Sequence, residues 1–326
     1  MKADKEKRVP VYLANRVKEV SKREERQVNT FHGKILTQST YFTVEPKNIQ
    51  ALLATQFKDF HFGPGRNGNF GPLLGEGIFA SDGPKWEHSR AMLRPNFARE
   101  QVSDLDLEEQ HVQNLLRAVP VQSDGWTAMT DIQPLFFRLT LDSATEFLFG
   151  ESVDSQLMAL PDHQAESRPT ERDERLFSVS FDRAQLYLAK GARFGDNYWI
   201  AHNAEFKNDN KIVHAFVDYY VQLALKSGLK EKIAEEGKGS KQKYVFLEEI
   251  AKQTRDPIEL RDHLLNILLA GRDTTASTLG WFWLLMADHP DVFRQLRNTV
   301  VEEFGTFDAP NDITFARLKS CSYLQH

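Results

Sequence analysis

PIELRDHLLNILLAGRDTTASTLGWFWLLMAD, residues 257–288, is the stretch that decides the fold. Pro257 suits a first helical turn, the Asp256 carboxylate can cap that turn, and Glu259 completes a pattern resembling a capping box. His289, followed by a proline, ends the helix. These limits predict one helix, about 48 Å long at 1.5 Å per residue. A helix this long and apolar is expected to run through the core of a domain.

Part of this helix, Leu264 to Met286, is long enough to cross a membrane. It carries Arg272 and Asp273 at its middle, however, and each charge there costs about 2.5–3.5 kcal/mol on insertion scales. A buried helix of a globular domain is therefore favoured over a membrane span.

The middle of the helix, AGRDTT at 270–275, breaks the apolar pattern. Gly271 costs about 0.8–1.0 kcal/mol relative to alanine and leaves a notch in the helix surface. Thr274 can donate a hydrogen bond to the carbonyl of Ala270 and bend the helix. A local conflict of this kind is typical of a functional site. The alternative is a helix kink with a buried ion pair.

A second cluster, DGPKWEHSR at 82–90, predicts a short helix that is capped by Asp82 or Ser81. Trp86 and Arg90 are four residues apart, so they share one helix face. An indole N–H beside a guanidinium suits the binding of a carboxylate. The alternative is a surface cation–π pair.

The glycine-rich stretch 61–83 predicts a long irregular loop. It contains a GxGxxG at 63–68, which binds dinucleotides only between a strand and a helix. Asn69, Gly71 and Pro72 follow it and argue against a helix, so the dinucleotide reading is rejected.

Elsewhere, helical periodicity dominates, and alternation predicts a strand over 34–46. Residues 1–28 are helix-prone, Pro46 suits a helix start, and 151–173 and 231–243 resemble surface loops. The fold class is therefore mainly α with a small β part, and 326 residues are enough for one large domain or two ordinary ones. Further helices are predicted at 84–94, 99–118, 131–149, 174–190, 205–226 and 290–304.

Composition excludes several classes of function. The chain has 326 residues, of which 41% are hydrophobic and 27% charged, and a net charge of −5. A nucleic-acid binder would carry a basic excess or a basic face. The one cysteine, Cys321, allows neither a disulfide framework nor a cysteine-rich zinc site. Residues 1–26 are too charged for a signal peptide or a membrane anchor.

The motifs together resemble the cytochrome P-450 family. AGRDTT at 270–275 is similar to its oxygen-binding motif, and WEHSR at 86–90 to the Trp-x-x-x-Arg that holds a haem propionate. HPDVFRQLRNTVVEEFG at 289–305 is similar to the helix that follows the oxygen-binding helix. The likeness covers nearly all of the chain. Residues 56–102 and 181–199 resemble the fungal fatty-acid and alkane hydroxylases.

The resemblance implies a role for each motif. Asp273 and Thr274 would be the catalytic residues, which pass protons to dioxygen. Trp86 and Arg90 would bind the haem through a propionate. The groove for dioxygen would be formed by Ala270, Gly271 and Thr275.

The resemblance also implies haem b, a lipophilic substrate and electrons from NADPH through an NADPH-cytochrome reductase at the endoplasmic reticulum membrane. Relatives continue into a Glu-x-x-Arg helix, whose opening YLQH at 323–326 resembles, and then into the loop of the iron-binding cysteine. Cys321 lies before that point and is not the iron ligand. The chain is therefore expected to be a truncated cytochrome P-450 fold without an anchor or a haem-cysteine segment.

Two hypotheses remain open for the function. The first is a monooxygenase that hydroxylates long-chain fatty acids or n-alkanes, of which the chain as given would be an inactive fragment. The second is a non-catalytic helical remnant that binds lipid or a protein partner but no haem.

Overall fold

The computed structural model describes residues 8–35, 38–98, 105–160, 173–234 and 244–325. The helices are α1 Val9–Arg23, α2 Pro46–Gln50, α3 Gly63–Leu74, α4 Gly83–Leu93, α5 Leu105–Arg117, α6 Gln133–Phe149, α7 Ser155–Met158, α8 Glu174–Phe194, α9 Ala204–Ala234, α10 Phe246–Ala251, α11 Pro257–Asp288, α12 Pro290–Phe304, α13 Phe315–Ser320 and α14 Ser322–Gln325. The strands are β1 Thr30–Ile35, β2 Gln38–Thr43, β3 Gly305–Thr306 and β4 Ala309–Pro310. Short π- and 3₁₀-helical turns occupy Ala51–Thr55, Phe57–Asp59, Arg94–Phe97 and Gly195–Ala201.

The core lies where α11 meets the helices around it. α11 packs most extensively against α6, while α8 and α9 pack against each other as an antiparallel pair and α9 also contacts α11. Fully buried apolar side chains from these helices form one contiguous cluster, which includes Leu148, Phe177, Val217 and Leu264. The fold class is therefore mainly α with a small β part, as the sequence predicts.

Several predicted helices have the limits that the sequence indicates. The helices over 257–288 and 290–304 are confirmed to the residue. The expectations for 84–94 and 131–149 differ from α4 and α6 by one or two residues. The prediction of a surface loop from 231 is wrong at its start, because α9 continues to Ala234. Residues 99–104, 161–172 and 235–243 lie outside the described residues.

The predicted strand over 34–46 is a hairpin instead. β1 pairs antiparallel with β2, with Phe31 opposite Phe42 and their rings stacked at 5.2 Å. Periodicity over 34–46 does not show where the chain reverses, because the pairing of Ile35 with Gln38 depends on the partner strand. Helix α2 begins at Pro46, as expected.

The prediction of an irregular loop over 61–83 is wrong, because residues 63–74 form α3 with Pro72 inside it. The carboxylate of Asp82 accepts hydrogen bonds from the backbone N–H groups of Phe62 and Gly63, at 3.0 and 2.9 Å. These bonds satisfy donors at the helix start, which otherwise have no partner within a helix.

The glycines of α3 allow neighbouring residues to approach its backbone. A Cβ built on Gly68 would lie 2.0 Å from the Tyr198 hydroxyl oxygen, and one on Gly65 would lie 3.1 Å from an Asp196 carboxylate oxygen. The GxGxxG is therefore a packing surface for the 3₁₀ turn that follows α8. A dinucleotide-binding motif needs a strand directly before it, and here the 3₁₀ turn Phe57–Asp59 takes that place.

The start of α11 confirms one predicted cap and corrects another. The Asp256 carboxylate accepts a hydrogen bond from the N–H of Ile258 at 2.9 Å, as expected of an N-cap. The capping box is wrong, because the backbone N–H of Asp256 donates to the Thr254 hydroxyl at 3.3 Å. The Glu259 carboxylate accepts from that threonine at 2.5 Å and from His88 at 2.7 Å.

α11 lies in the core from Leu260 to Ala276, but its C-terminal part does not. Leu260, Leu264 and Leu268 are fully buried, whereas every side chain of Trp281–Leu285 is exposed, Trp281 by 63%. We call residues 281–285 the exposed band. None of the helices in the described ranges combines the length and apolar character that crossing a bilayer requires.

Candidate functional site

A cavity of about 710 Å³ lies between α5, α6 and α11. Ala270, Gly271 and Thr275, the three predicted groove residues, all line it on α11. The apolar side of the wall includes Phe97, Leu139, Phe147 and Leu148. A Cβ built on Gly271 would meet only the Cβ of Ala144, at 3.7 Å, so the helix is notched here without close packing against a neighbour.

The two predicted catalytic residues lie beside this cavity on α11 and do not line it. The hydroxyl of Thr274 donates to the carbonyl of Ala270 at 2.7 Å, which is the hydrogen bond that the sequence predicts. Asp273 lies against Arg272, with 3.3 Å between a carboxylate oxygen and Nη1. The notch is thus adjacent to one hydroxyl and one carboxyl group.

Arg272 is buried, with 3% of its surface exposed. Its Nη1 forms an ion pair with Asp182 of α8 as well as with Asp273. The guanidinium lies over the rings of Phe137 and Phe181, at 5.1 and 5.9 Å. The alternative that the sequence offered is thus found in part: a buried arginine lies directly beside the groove, but its carboxylate partners are partly exposed.

The environment of Asp273 favours its protonated form. Burial raises the pKa of this carboxyl group, Arg272 opposes that rise, and the charge of Asp182 adds to it. Asp273 therefore releases its proton at a higher pH than an ordinary aspartate.

Trp86 and Arg90 share one face of α4, as predicted, and form a cation–π pair with 5.5 Å between the guanidinium carbon and the ring centre. Arg90 is exposed and Trp86 half-buried, against Phe57 at 5.2 Å. Neither lines the cavity, although the 3₁₀ turn that continues α4 places Phe97 in its wall. The observed pair is the surface arrangement, and its guanidinium is open to a further partner.

The predicted caps of α4 are wrong. Asp82 bonds to the start of α3 instead, and the Ser81 hydroxyl donates to the carbonyl of Gly77 at 2.9 Å. The N-cap position of α4 has no side-chain hydrogen bond.

A link between α4 and α11 is invisible in the sequence. His88 bonds to Glu259 across 171 positions of the chain. His263, one turn further along α11, is buried with its Nε2 3.8 Å from the same carboxylate, beyond hydrogen-bond distance. Burial lowers the pKa of the His263 imidazole. No local pattern could have indicated that these three side chains meet.

Cys321 is buried between α13 and α14, where its N–H donates to the carbonyl of Arg317 at 3.1 Å. It does not line the cavity. Within the described ranges, no group of three or more histidine, cysteine, aspartate or glutamate side chains is arranged to hold a metal ion.

The family model described as Cytochrome P450 matches residues 11–326, nearly the whole chain. The chain belongs to the cytochrome P450 family. The predicted resemblance to this family is thereby confirmed.

Similar proteins include fungal P450s. The chain is 49% identical to cytochrome P450 monooxygenase g430 of a Fusarium species over 99% of its own length, and 47% identical to cytochrome P450 52A12 of Debaryomyces hansenii over 91%. It is 46% identical to cytochrome P450 52A5 of Candida maltosa, also over 91%. The chain spans 55–56% of the length of these relatives.

The P450 fold is also found in a solved structure. The crystal structure of the cytochrome P450 CYP102L1 matches 96% of this chain and 67% of its own, with a TM-score of 0.69 and 18% identity. The expectation of a P450 fold is thus confirmed.

The family implies haem, and the residues of this P450 fit one side of it. Ala270, Gly271 and Thr275 are small and line an open cavity, and the exposed Arg90 guanidinium can pair with a carboxylate such as a propionate. Cys321 lies elsewhere, so the described residues provide no axial thiolate in the cavity. The small residues of this cavity and the exposed Arg90 guanidinium are thus compatible with one face of a haem.

Proposed function

We propose that this chain is the oxygen-side part of a haem-dependent monooxygenase, in which residues 1–326 form a single incomplete P450 domain. The observation that carries the proposal is the small-residue notch at Ala270 and Gly271, which opens onto a cavity of about 710 Å³. A core helix gains nothing in stability from a glycine there, since alanine would fit with ordinary contacts.

Two side chains would handle protons at the notch. The Thr274 hydroxyl, which donates to Ala270 in this structure, can rotate about χ1 and donate into the groove instead. Asp273 would hold a proton and replace the one that Thr274 gives up, a role that suits its raised pKa. Haem b would supply the oxygen chemistry when bound, and Trp86 with Arg90 would hold one of its propionates.

Substrate and partners follow from the family assignment. We infer long-chain fatty acids or n-alkanes as substrates, because residues 56–102 and 181–199 resemble the fungal hydroxylases of these compounds. The similarity to cytochromes P450 52A of two yeasts supports that subfamily. Electrons would come from NADPH through an NADPH-cytochrome reductase at the endoplasmic reticulum membrane. A type-I spectral titration with a fatty-acid series tests the substrate class, and binding of steroids alone would refute it.

A second function is favoured by two observations for the chain on its own. Cys321 lies outside the cavity, and the exposed band leaves apolar side chains of α11 in water. A non-catalytic remnant that binds lipid or a protein partner, without haem, would have both features. The 326-residue chain by itself is accordingly expected to be inactive.

The reduced carbon-monoxide difference spectrum separates these two functions. The chain expressed with added haem should show no thiolate-type Soret band, because the described residues place no cysteine in the cavity. A chimaera that continues the chain with the remaining C-terminal part of the Fusarium relative should show that band. A chimaera that shows no such band and retains no haem would favour the remnant.

The role of Thr274 is tested in the same chimaera. Thr274→Ala should lower product formed per NADPH and raise peroxide release, whereas Thr274→Ser, which keeps the hydroxyl, should stay close to the unmutated chimaera. An unchanged yield of product per NADPH in the alanine variant would exclude proton delivery by Thr274.

Arg90→Ala should lower the haem occupancy of the chimaera, because a hydrogen bond to a charged group contributes about 1.5–3 kcal/mol.

A further inference from the structure

Arg272 joins three helices at the centre of the motif. Its side chain reaches Asp182 and Phe181 on α8 and lies over Phe137 on α6. Its backbone carbonyl accepts a hydrogen bond from the Thr140 hydroxyl of α6 at 2.9 Å. The position of this one residue is therefore fixed from both sides of α11.

The guanidinium is shared between two carboxylates. A single nitrogen, Nη1, contacts both Asp182 and Asp273, while Nε is buried without a hydrogen-bond partner. An arginine can pair with one carboxylate through two parallel hydrogen bonds, and here it does so with neither. Asp182 and Asp273 thus compete for one cation, and loss of either partner releases guanidinium N–H groups for the other.

The competing carboxylate lies on a helix that is bound to the next one along the chain. Arg183, adjacent to Asp182, forms two hydrogen bonds of 2.7 and 2.6 Å with the fully buried Asp209 of α9. A displacement of α8 would therefore carry α9 with it and change the distance from Asp182 to Arg272. The side chain of Asp182 is 53% exposed, so it can leave this ion pair for water at little cost.

We propose that Arg272 is a positioning residue. It links the packing of the α8–α9 pair against α11 to the protonation of the Asp273 carboxyl group. When α8 packs as in this structure, Asp182 shares the guanidinium with Asp273. With α8 displaced, Asp273 takes all of it and is held as a carboxylate. The proposal rests on the proposed function in one respect, since Asp273 is the proton-handling group there.

The charged groups that face Asp273 come from two elements. Arg272 lies on its own helix and Asp182 on α8, while α6 contributes the Phe137 ring and the Thr140 hydroxyl around Arg272. Arg272 lowers the pKa of Asp273 and Asp182 raises it. The titration of Asp273 therefore reports which carboxylate has the guanidinium.

The test is a ¹³C-carboxyl NMR titration of the 326-residue chain with labelled aspartate, kept monomeric in a mild detergent. The Asp273 signal is assigned from its loss in Asp273→Asn. Asp182→Asn should shift the midpoint of Asp273 to lower pH, because the competitor is gone. Arg272→Met should shift it to higher pH, and Arg272→Lys, which keeps the charge, should lie between that variant and the unmutated chain.

Arg261→Met is the matched control, since Arg261 lies three turns earlier on α11 and pairs with Asp218 of α9 at 3.2 Å. Its loss should leave the Asp273 midpoint in place even if the melting temperature falls. If Arg272→Met does not fold, the Asp273 midpoint in Asp182→Asn tests the proposal by itself. That variant is expected to fold, because the Asp182 side chain is half-exposed.

An unchanged or raised midpoint in Asp182→Asn would overturn the coupling, and a purely structural role would give that result together with a lower melting temperature. This titration needs neither haem nor turnover. Failure of the proposed function would instead appear in the chimaera: Thr274→Ala would leave the yield of product per NADPH unchanged, while the shifts of the Asp273 midpoint would still be observed.

Discussion

Gly68 and Gly71 lie three residues apart on α3 and have different neighbours. A Cβ on Gly68 would overlap the ring and hydroxyl of Tyr198, whereas a Cβ on Gly71 would meet nothing within 4 Å. Gly71→Ala should therefore stabilise the chain by up to about 1 kcal/mol, through helix propensity. Gly68→Ala should destabilise it, because the tyrosine must move.

Urea denaturation of the two glycine variants measures this difference. Each variant is the control of the other, since both make the same substitution in the same helix. Equal free energies of unfolding would contradict the close packing between α3 and the 3₁₀ turn after α8.

His263 makes the chain sensitive to acid. Burial lowers the pKa of this imidazole from its ordinary 6.5, so the folded protein takes up a proton at lower pH than the unfolded chain. Stability should consequently fall as the pH drops below about 6.5. His202 and His214, whose pKa values are also lowered by burial, act in the same direction.

His263→Leu should make the melting temperature depend less steeply on pH between pH 7 and pH 5. At pH 7 the change should be small, because the ring nitrogens that are lost have no hydrogen-bond partner. Replacement of the exposed His61 by glutamine is the control. An equally steep profile in the leucine variant would show that His263 is not the acid-sensitive group.

Sequence reasoning located the residues of the site better than their partners. It singled out Gly271 as a notch and Thr274 as a donor to Ala270, because both follow from the periodicity of one helix. It could not find Asp182, which lies 90 positions from Arg272 in the chain. A pairing between helices depends on how they pack, and the local pattern of either helix does not contain that information.

At the scale of elements, the α8–α9 pair depends on a buried carboxylate. Asp209 is fully buried and bonded to Arg183. Arg183→Met should lower the melting temperature markedly, because it leaves Asp209 uncompensated in the interior.

The double variant Arg183→Met with Asp209→Leu should recover much of that loss, since no charge is then buried. Thermal denaturation followed by circular dichroism gives the comparison. A double variant that is less stable than Arg183→Met would mean that the pair itself, rather than the unpaired carboxylate, determines the effect.

The elements that the sequence missed are those fixed by distant residues. α11 was predicted to the residue because its cap, its proline and its terminal His289 are all local. α3 was missed because its glycines and Pro72 disfavour a helix locally, while Asp82 and Tyr198 stabilise it from elsewhere in the fold. In this helix, tertiary contacts override propensity.

For the whole molecule, the exposed band is expected to cause self-association. Trp281 and Leu285 are 63% and 49% exposed on one helix, and large exposed apolar patches favour aggregation or partner binding. The double variant Trp281→Ser with Leu285→Ser should shift the chain toward the monomer in analytical ultracentrifugation, with unchanged helical content.

Leu264→Ser on the same helix is the matched control. Leu264 is fully buried, so its loss should destabilise the fold by at least about 2–5 kcal/mol and should not relieve association. If the double variant associates as strongly as the unmutated chain, self-association is mediated by a surface other than the exposed band.

The exposed band is also expected to affect how the chain folds during synthesis on the ribosome. Translation adds roughly 5–20 residues per second, and domains begin to fold from the N-terminal side. The first half of α11 can pack as soon as it emerges, because α3, α6, α8 and α9 are already made. Residues 281–285 emerge moments later, and within the described parts of the chain their side chains stay exposed. A holding chaperone that recognises short apolar segments should therefore crosslink to nascent chains at this pentapeptide, and the load that the protein places on such chaperones is concentrated in one turn and a half of helix.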